Sequence, residues 1–226
     1  PYEARMRVVI VTEAHAMNPS AGNALLKMLE EPPDRTILIL TAPQRVDLLP
    51  TIVSRCQLVR FNPITRRTIA AELVKEHGLE KQAASVLAAV SNGSLTRAKA
   101  LVQSDWLRYR SWLIAASGLA APEKLETRNT GQLLAFAETL STRKEMVSDS
   151  LAALLTWLRD LIVCRYAPER IVNTDLIDKL QRVSQKNPVG AIMDKMDAIR
   201  TAQKAIEANA NLRLSLEVMM LRLAEA

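Results

Sequence analysis

The chain has 226 residues, which allows one large domain or two modest ones at roughly 100 to 200 residues per domain. Its hydrophobic fraction of 49% and charged fraction of 24% are typical of a globular protein, and no apolar run approaches the roughly 18 residues that span a bilayer. The net charge of +6 (30 basic minus 24 acidic residues) permits contact with nucleic acid without requiring it. Few glycines and aromatic residues argue against an all-β sandwich, so helices should dominate.

The residues of the first segment predict a strand, a helix and a second strand. Residues 8–11 are four consecutive β-branched residues, which indicates a strand buried on both faces, and residues 36–41 form a second such run. Between them, Asn18-Pro19 is typical of a helix start and Pro32-Pro33 of a helix end. The pattern predicts a βαβ crossover.

A short helix over residues 48–55 and a third strand over residues 57–61 complete this first segment. From residue 65 onward only helical patterns occur, and Trp106, Trp112 and Trp157 fall at core-like positions within them. After a first helix around residues 69–74, the predicted helices cover 83–90, 95–102, 106–116, 131–140, 144–166, 174–185, 189–208 and 212–224.

Cysteine and histidine usage argues against a disulfide framework and against a metal site. Cys56 and Cys164 cannot form a four-ligand zinc site, and His15 and His77 are isolated from other ligand residues. No charged and apolar leader precedes the first strand-like run. We therefore expect a reduced, cytoplasmic protein in which both cysteines are small buried residues.

The end of the first strand carries the polar residues Thr12 and Glu13. In P-loop NTPases this position holds magnesium and polarises water, because the carboxyl ends of parallel strands face the ligand crevice. Here Thr12 stands where an Asp is expected, and a hydroxyl is a poor replacement for a carboxylate beside magnesium triphosphate. Glu13 could still polarise a water, although a plain polar strand end is the favoured interpretation.

Two longer motifs resemble the bacterial DNA polymerase III clamp-loader family of AAA+ proteins. The first is Asn-Ala-Leu-Leu-Lys-Met-Leu-Glu-Glu-Pro-Pro at residues 23–33, and the second, more specific, is Leu-Pro-Thr-Ile-Val-Ser-Arg-Cys at residues 49–56. The resemblance is strong over residues 7–61, moderate through 91–98, and weaker in the final helices, where 209–217 is similar to the last helix of the family. Thr12 makes the chain most similar to the family's delta-prime subunits, rather than to the ATP-hydrolysing gamma/tau subunits.

The resemblance implies a mainly α fold in three parts. These are the C-terminal half of an α/β P-loop (AAA+) core at 1–62, a three-helix lid at 63–103, and an all-α helical collar for oligomerisation at 104–226. The phosphate loop G-x-x-x-x-G-K-[ST] does not occur in these residues, and in the family it lies upstream. Because the chain also opens at Pro1 rather than Met, we expect it to be the carboxyl-terminal part of a longer protein.

The resemblance also assigns roles to individual residues. Arg55 corresponds to the catalytic arginine finger that reaches, in trans, the γ-phosphate of ATP held by a neighbouring subunit, with Ser54 supporting it. Glu13, Thr41 and Arg97 correspond to positions that sense the nucleotide, and they are expected to be vestigial in a subunit that does not hydrolyse ATP. No residue is expected to bind metal.

The implied function is that of a subunit with no activity by itself, within the DNA polymerase III holoenzyme, a DNA-directed DNA polymerase and nucleotidyltransferase complex. It would bind no cofactor, face ATP-Mg in its neighbour, and contact gamma/tau and delta subunits through core and collar. The sliding clamp and primed DNA would be partners within the complex, and a membrane would not. Two alternatives stay open: an ATP-hydrolysing gamma/tau-type subunit, and a helical DNA-binding module that uses the charge of +3 (6 basic minus 3 acidic residues) at 63–103.

Overall fold

The computed structural model describes residues 6–120 and 130–225 of the chain. The chain forms two compact units, Pro1–Asn62 and Pro63–Ala226. In the described residues, the first unit holds both strands and the second is built from helices. None of the described helices is both long and apolar enough to cross a membrane. The structure is therefore mainly α with a small sheet, as the composition predicts.

The first unit begins with the expected crossover. Strand β1 (Arg7–Val11) and strand β2 (Thr36–Leu40) pair in parallel, and helix α1 (Pro19–Glu30) connects them. The Asn18 side chain accepts a hydrogen bond of 2.8 Å from the N–H of Ala21, which satisfies one of the unpaired donors in the first turn of α1. The βαβ prediction is confirmed.

The prediction that the first strand is buried on both faces is wrong for the described residues. Val8 and Ile10 are 53% and 60% exposed, and their neighbours across the sheet, Ile37 and Ile39, are also exposed. Side chains alternate between the two faces of a strand, so these four residues share one face. On the opposite face, Val9 and Val11 of β1 and Leu38 and Leu40 of β2 are partly buried. An apolar run indicates a strand, but the elements packed on it decide which faces are covered.

The prediction of a third strand over residues 57–61 is also wrong. This segment has no regular structure, and its Phe61 side chain is 94% exposed. A strand requires a hydrogen-bonded neighbour, and in the described part of the chain β1 and β2 pair only with each other. The predicted helix over 48–55 is reduced to helix α2 (Pro50–Val53), which follows the 3-10 turn Arg45–Asp47.

The second unit contains nine described helices, and they follow the predicted pattern closely. They are α3 (Arg66–His77), α4 (Lys81–Val90), α5 (Leu95–Gln103), α6 (Trp106–Ser117), α7 (Thr130–Thr142), α8 (Val147–Tyr166), α9 (Ile177–Lys186), α10 (Val189–Glu207) and α11 (Leu212–Glu225). The 3-10 turns Lys144–Met146 and Thr174–Leu176 replace the expected first turns of α8 and α9. Two further 3-10 turns are Ala14–Ala16 and Pro168–Arg170.

Buried apolar residues from α3 through α11 form one continuous hydrophobic core in this unit. Trp106 and Trp157 lie in this core as predicted, but Trp112 is 41% exposed, so its predicted burial is wrong. It lies off the buried stripe of α6 and packs at the surface against the rings of Tyr109 and Phe136, with centroid distances of 5.5 and 6.1 Å. Helical spacing alone does not show where the edge of the stripe falls.

A buried polar network ties α6, α8 and the turn before α9 together. The Asp160 carboxylate is fully buried, and its Oδ2 accepts hydrogen bonds from the N–H groups of Val172 (3.1 Å) and Asn173 (2.8 Å) and from Asn173 Nδ2 (2.8 Å). The buried Arg110 guanidinium donates to Asn173 Oδ1 at 2.8 Å and forms an ion pair with Asp175. These bonds satisfy charges and amides that would otherwise be costly to bury.

Candidate functional site

The carboxyl ends of β1 and β2 meet and bring two of the predicted residues together. The backbone N–H of Glu13 donates to Oγ1 of Thr41 at 3.2 Å, and the N–H of Ala14 donates to the carbonyl of Thr41 at 2.8 Å. The N–H of Thr41 in turn donates to the carbonyl of Val11 at 3.0 Å. Three bonds therefore hold Thr41 at this edge, as the parallel topology requires.

Glu13 adopts a left-handed backbone conformation, with φ 53° and ψ 43°, and it is exposed. Thr12 and Thr41 are exposed beside it, so a carboxylate and two hydroxyl groups lie at one edge of the sheet. Such groups can orient a water molecule or contact a phosphate. Among the described residues, no group of three or more His, Cys, Asp or Glu side chains is arranged to hold a metal ion.

Arg55 follows helix α2, and its guanidinium is held on two sides. Its Nε donates to Oε1 of Glu30 at 2.8 Å, and its Nη2 lies 2.6 Å from the same oxygen. Its Nη1 donates to the carbonyl of Thr51 at 3.0 Å and to Oγ of Ser54 at 3.3 Å. The side chain remains 37% exposed. Arg55 and Ser54 are thus in contact, and the guanidinium is ordered at the surface.

The packing of α1 against α2 explains why Glu30 and Arg55 meet. Gly22 of α1 is buried, and a Cβ atom at this position would lie 2.9 Å from Cδ1 of Leu49 and 3.8 Å from Cδ1 of Ile52. A glycine therefore allows the two helices to approach closely. Sequence reasoning missed Glu30, because a carboxylate in the last turn of an amphipathic helix shows no partner without this packing.

Cys56, directly after Arg55, does not have the character of a nucleophile. It is half-buried, and burial raises the pKa of its thiol, which disfavours the reactive thiolate. Cys164, on α8, is also half-buried. The prediction that both cysteines are small buried residues is therefore wrong in their burial, since each is only partly buried; both thiols are free.

Arg97 lies in the second compact unit, whereas Glu13, Thr41 and Arg55 lie in the first. It occupies the first turn of α5, and its Nη2 lies 2.5 Å from Oδ1 of Asp149 on α8. Its side chain borders a cavity of about 230 Å³ inside the second unit. The observed partner of Arg97 is thus a carboxylate of its own unit.

Two family descriptions match the chain. Residues 1–65 match "DNA polymerase III, delta subunit", and residues 123–225 match "DNA polymerase III, delta subunit, C terminal". The chain belongs to the DNA polymerase III clamp-loader family. The range 1–65 contains four of the predicted site residues of this clamp-loader chain (Glu13, Thr41, Ser54 and Arg55), and Arg97 lies outside both ranges.

Individual relatives of the clamp-loader chain carry the names of two kinds of subunit. It is 24% identical to the DNA polymerase III subunit tau of Bacillus subtilis over 100% of this chain and 44% of the relative. It is 26% identical to the DNA polymerase III subunit delta' of Bacillus subtilis, over 99% of this chain and 67% of the relative. It is 30% identical to the DNA polymerase III subunit delta' of Escherichia coli K12, over 75% of this chain and 48% of the relative. The chain therefore spans about half the length of the tau subunit and of the Escherichia coli delta' subunit.

Proposed function

We propose that this chain is part of a clamp-loader subunit that does not hydrolyse ATP itself and supplies Arg55 to ATP in a neighbouring subunit during loading of the sliding clamp. The observation that carries this proposal is the ordered, surface-exposed guanidinium of Arg55 at the end of α2. A functional group that acts on another subunit has to be both held in place and accessible. Arg55 meets both conditions.

The chemistry of the side chain agrees with this role. Arginine is permanently charged, and its planar fork of N–H donors matches the oxygens of a transferring phosphoryl group. Ser54 supports it, because its hydroxyl donates to the carbonyl of Thr51 at 3.0 Å and accepts from Nη1 of Arg55. The chain itself needs no cofactor for this role, since ATP-Mg is bound by the neighbour.

Thr12 supports the absence of ATP hydrolysis by this subunit, because it stands where the resemblance expects an aspartate. Glu13 and Thr41 would then be remnants of a nucleotide-sensing site, held together by the bond from Glu13 N–H to Thr41 Oγ1. Arg97, paired with Asp149, would be a remnant of the second sensor. The subunit would act only within the complex.

Partner subunits of the gamma/tau and delta types would contact the core and the collar, with the sliding clamp and primed DNA bound by the complex. An exposed apolar stripe on α11 supports a contact through the collar. Its residues Leu214, Val218 and Leu221 follow the i, i+4, i+7 spacing of one helix face and are 59%, 42% and 36% exposed. Apolar residues that share an exposed face favour association with another protein.

The test is Arg55→Ala in the full-length subunit, reconstituted with its partner subunits. At the ATP site that Arg55 faces, hydrolysis should fall on the order of 1,000-fold, because an arginine finger contributes about that much or more. Arg55→Lys should remain strongly impaired, since an ammonium lacks the planar fork. Arg60→Ala, a change at an exposed arginine five residues after Arg55 in the sequence, is the matched control and should leave hydrolysis unchanged. Undiminished ATPase and clamp loading by Arg55→Ala would refute the role.

The alternative is an ATP-hydrolysing subunit of the gamma/tau type, which the match to a tau subunit over the whole chain favours. In that case the complete protein would carry a working phosphate loop of its own. The two functions are separated by ATP turnover of the full-length purified subunit without partners. Steady turnover would support the gamma/tau type, and its absence, together with an effect of Arg55→Ala in the complex, would support the proposed role.

A further inference from the structure

Glu30 is the acidic partner of Arg55, and its contact with the guanidinium is specific in geometry. One carboxylate oxygen, Oε1, lies 2.8 Å from Nε and 2.6 Å from Nη2 of Arg55, so it binds the edge of the guanidinium that these two nitrogens form. The neighbouring Glu31 is exposed and makes no such contact with Arg55. Of two consecutive carboxylates at the end of α1, only Glu30 therefore engages the side chain.

The bonds to Arg55 leave part of its donor set available. A guanidinium carries five N–H groups, two of them on Nη2. Glu30 takes the Nε donor and one Nη2 donor, while Thr51 and Ser54 receive bonds from Nη1. In the described part of the chain, the second N–H of Nη2 has no protein acceptor, and the side chain is 37% exposed. Bonds to Glu30, Thr51 and Ser54 therefore orient the guanidinium, while the second N–H of Nη2 can still donate to a further acceptor.

The energetics of this pair favour a positioning role over a stabilising one. The Glu30 side chain is 50% exposed, and an exposed ion pair contributes little to stability because water screens it. The contact therefore matters little for folding of the unit. Its consequence is that a long, rotatable side chain is held in one orientation before any phosphate arrives.

We infer that Glu30 is a positioning residue for Arg55: it fixes the guanidinium plane so that the free N–H of Nη2 faces the γ-phosphate of ATP in the neighbouring subunit. This inference rests on the proposed function of Arg55. An arginine that is already oriented does not have to be ordered in the transition state, and misplacement of a catalytic group by about 1 Å can cost up to about 100-fold in rate.

The experiment compares Glu30→Ala, Glu30→Gln, Glu31→Ala and Arg55→Ala in the full-length subunit within the reconstituted loader. Glu30→Ala should lower kcat for ATP hydrolysis on the order of 10-fold with little change in KM for ATP, because ATP is bound by the neighbour. Glu30→Gln should recover most of the rate, since its amide oxygen can accept the same two hydrogen bonds. Glu31→Ala should behave as wild type.

The outcomes separate this inference from the function on which it rests. If Arg55→Ala lowers hydrolysis and Glu30→Ala does not, the positioning role is overturned while the trans role of Arg55 stands. If Glu30→Gln is as slow as Glu30→Ala, acceptor geometry is not what matters, and the inference also falls. If Arg55→Ala has no effect, the proposed function and this inference fall together. Combining Glu30→Ala with Arg55→Ala should be no slower than Arg55→Ala alone.

Discussion

Replacing Asp160 by alanine should destabilise the second unit more than an ordinary surface change does. Asp160 has no exposed side-chain surface, and its Oδ2 is the acceptor for three N–H groups of Val172 and Asn173. Its Oδ1 accepts a fourth bond from Arg159 at 2.8 Å. Alanine removes every one of these acceptors.

The magnitude follows from the donors that are left without a partner. The backbone N–H and the Nδ2 of Asn173 are buried, and an unsatisfied buried donor costs about 1 to 3 kcal/mol. Val172 is only partly buried, and Arg159 is 43% exposed, so water can satisfy both at a smaller cost. Loss of the two buried bonds gives an expected destabilisation of about 2 to 6 kcal/mol. Asp160→Asn retains one acceptor oxygen for the turn and should cost about 1 to 2 kcal/mol.

Urea unfolding followed by tryptophan fluorescence measures this effect. All three tryptophans of the chain (Trp106, Trp112 and Trp157) belong to the second unit, so the signal reports that unit. Asp197→Ala is the matched control: this exposed carboxylate pairs with Arg200 one turn away at 3.6 Å, and its loss should cost less than about 0.5 kcal/mol. An Asp160→Ala variant within about 1 kcal/mol of wild type would contradict the reasoning from buried unsatisfied donors.

Two further predictions concern the same unit. Gly93→Ala should destabilise it by about 2 kcal/mol or more, because Gly93 has φ 81° and a Cβ would lie 2.3 Å from Cβ of Pro63. Gly190→Ala in α10, where a Cβ would meet no atom within 4 Å, should instead stabilise it by about 0.5 to 1 kcal/mol. Thermal unfolding of both variants checks this, and equal shifts in their unfolding temperatures would contradict it. The hydrogen bond from Lys99 lowers the pKa of Glu76 from its usual 4.5, so this carboxylate contributes stability above about pH 4.5 that is lost as the pH falls through the lower folded-state value. Unfolding of Glu76→Gln between pH 6 and pH 3 should show a smaller loss of stability than wild type, and identical pH profiles would rule out this contribution.

Most of the local structure could be predicted from the sequence because it depends on neighbouring residues. Asn18 and Ser94 cap helices through side-chain oxygens that accept backbone bonds from residues three positions later. The helical spacing of apolar residues likewise placed most of the helices of the second unit, and the motif at residues 49–56 singled out Arg55. These signals need no knowledge of distant contacts.

The tertiary structure decided which residues meet and which faces are covered. The close approach of two helices at Gly22 brings Glu30 to Arg55, 25 positions away in sequence, and the fold alone shows that contact. The same holds for Asp160 and the turn at residues 172–173, and for the exposed face of β1, which the apolar run wrongly predicted to be buried. Residue type and spacing determine what a segment can form, whereas partners far apart in sequence are chosen by packing, which no local pattern encodes.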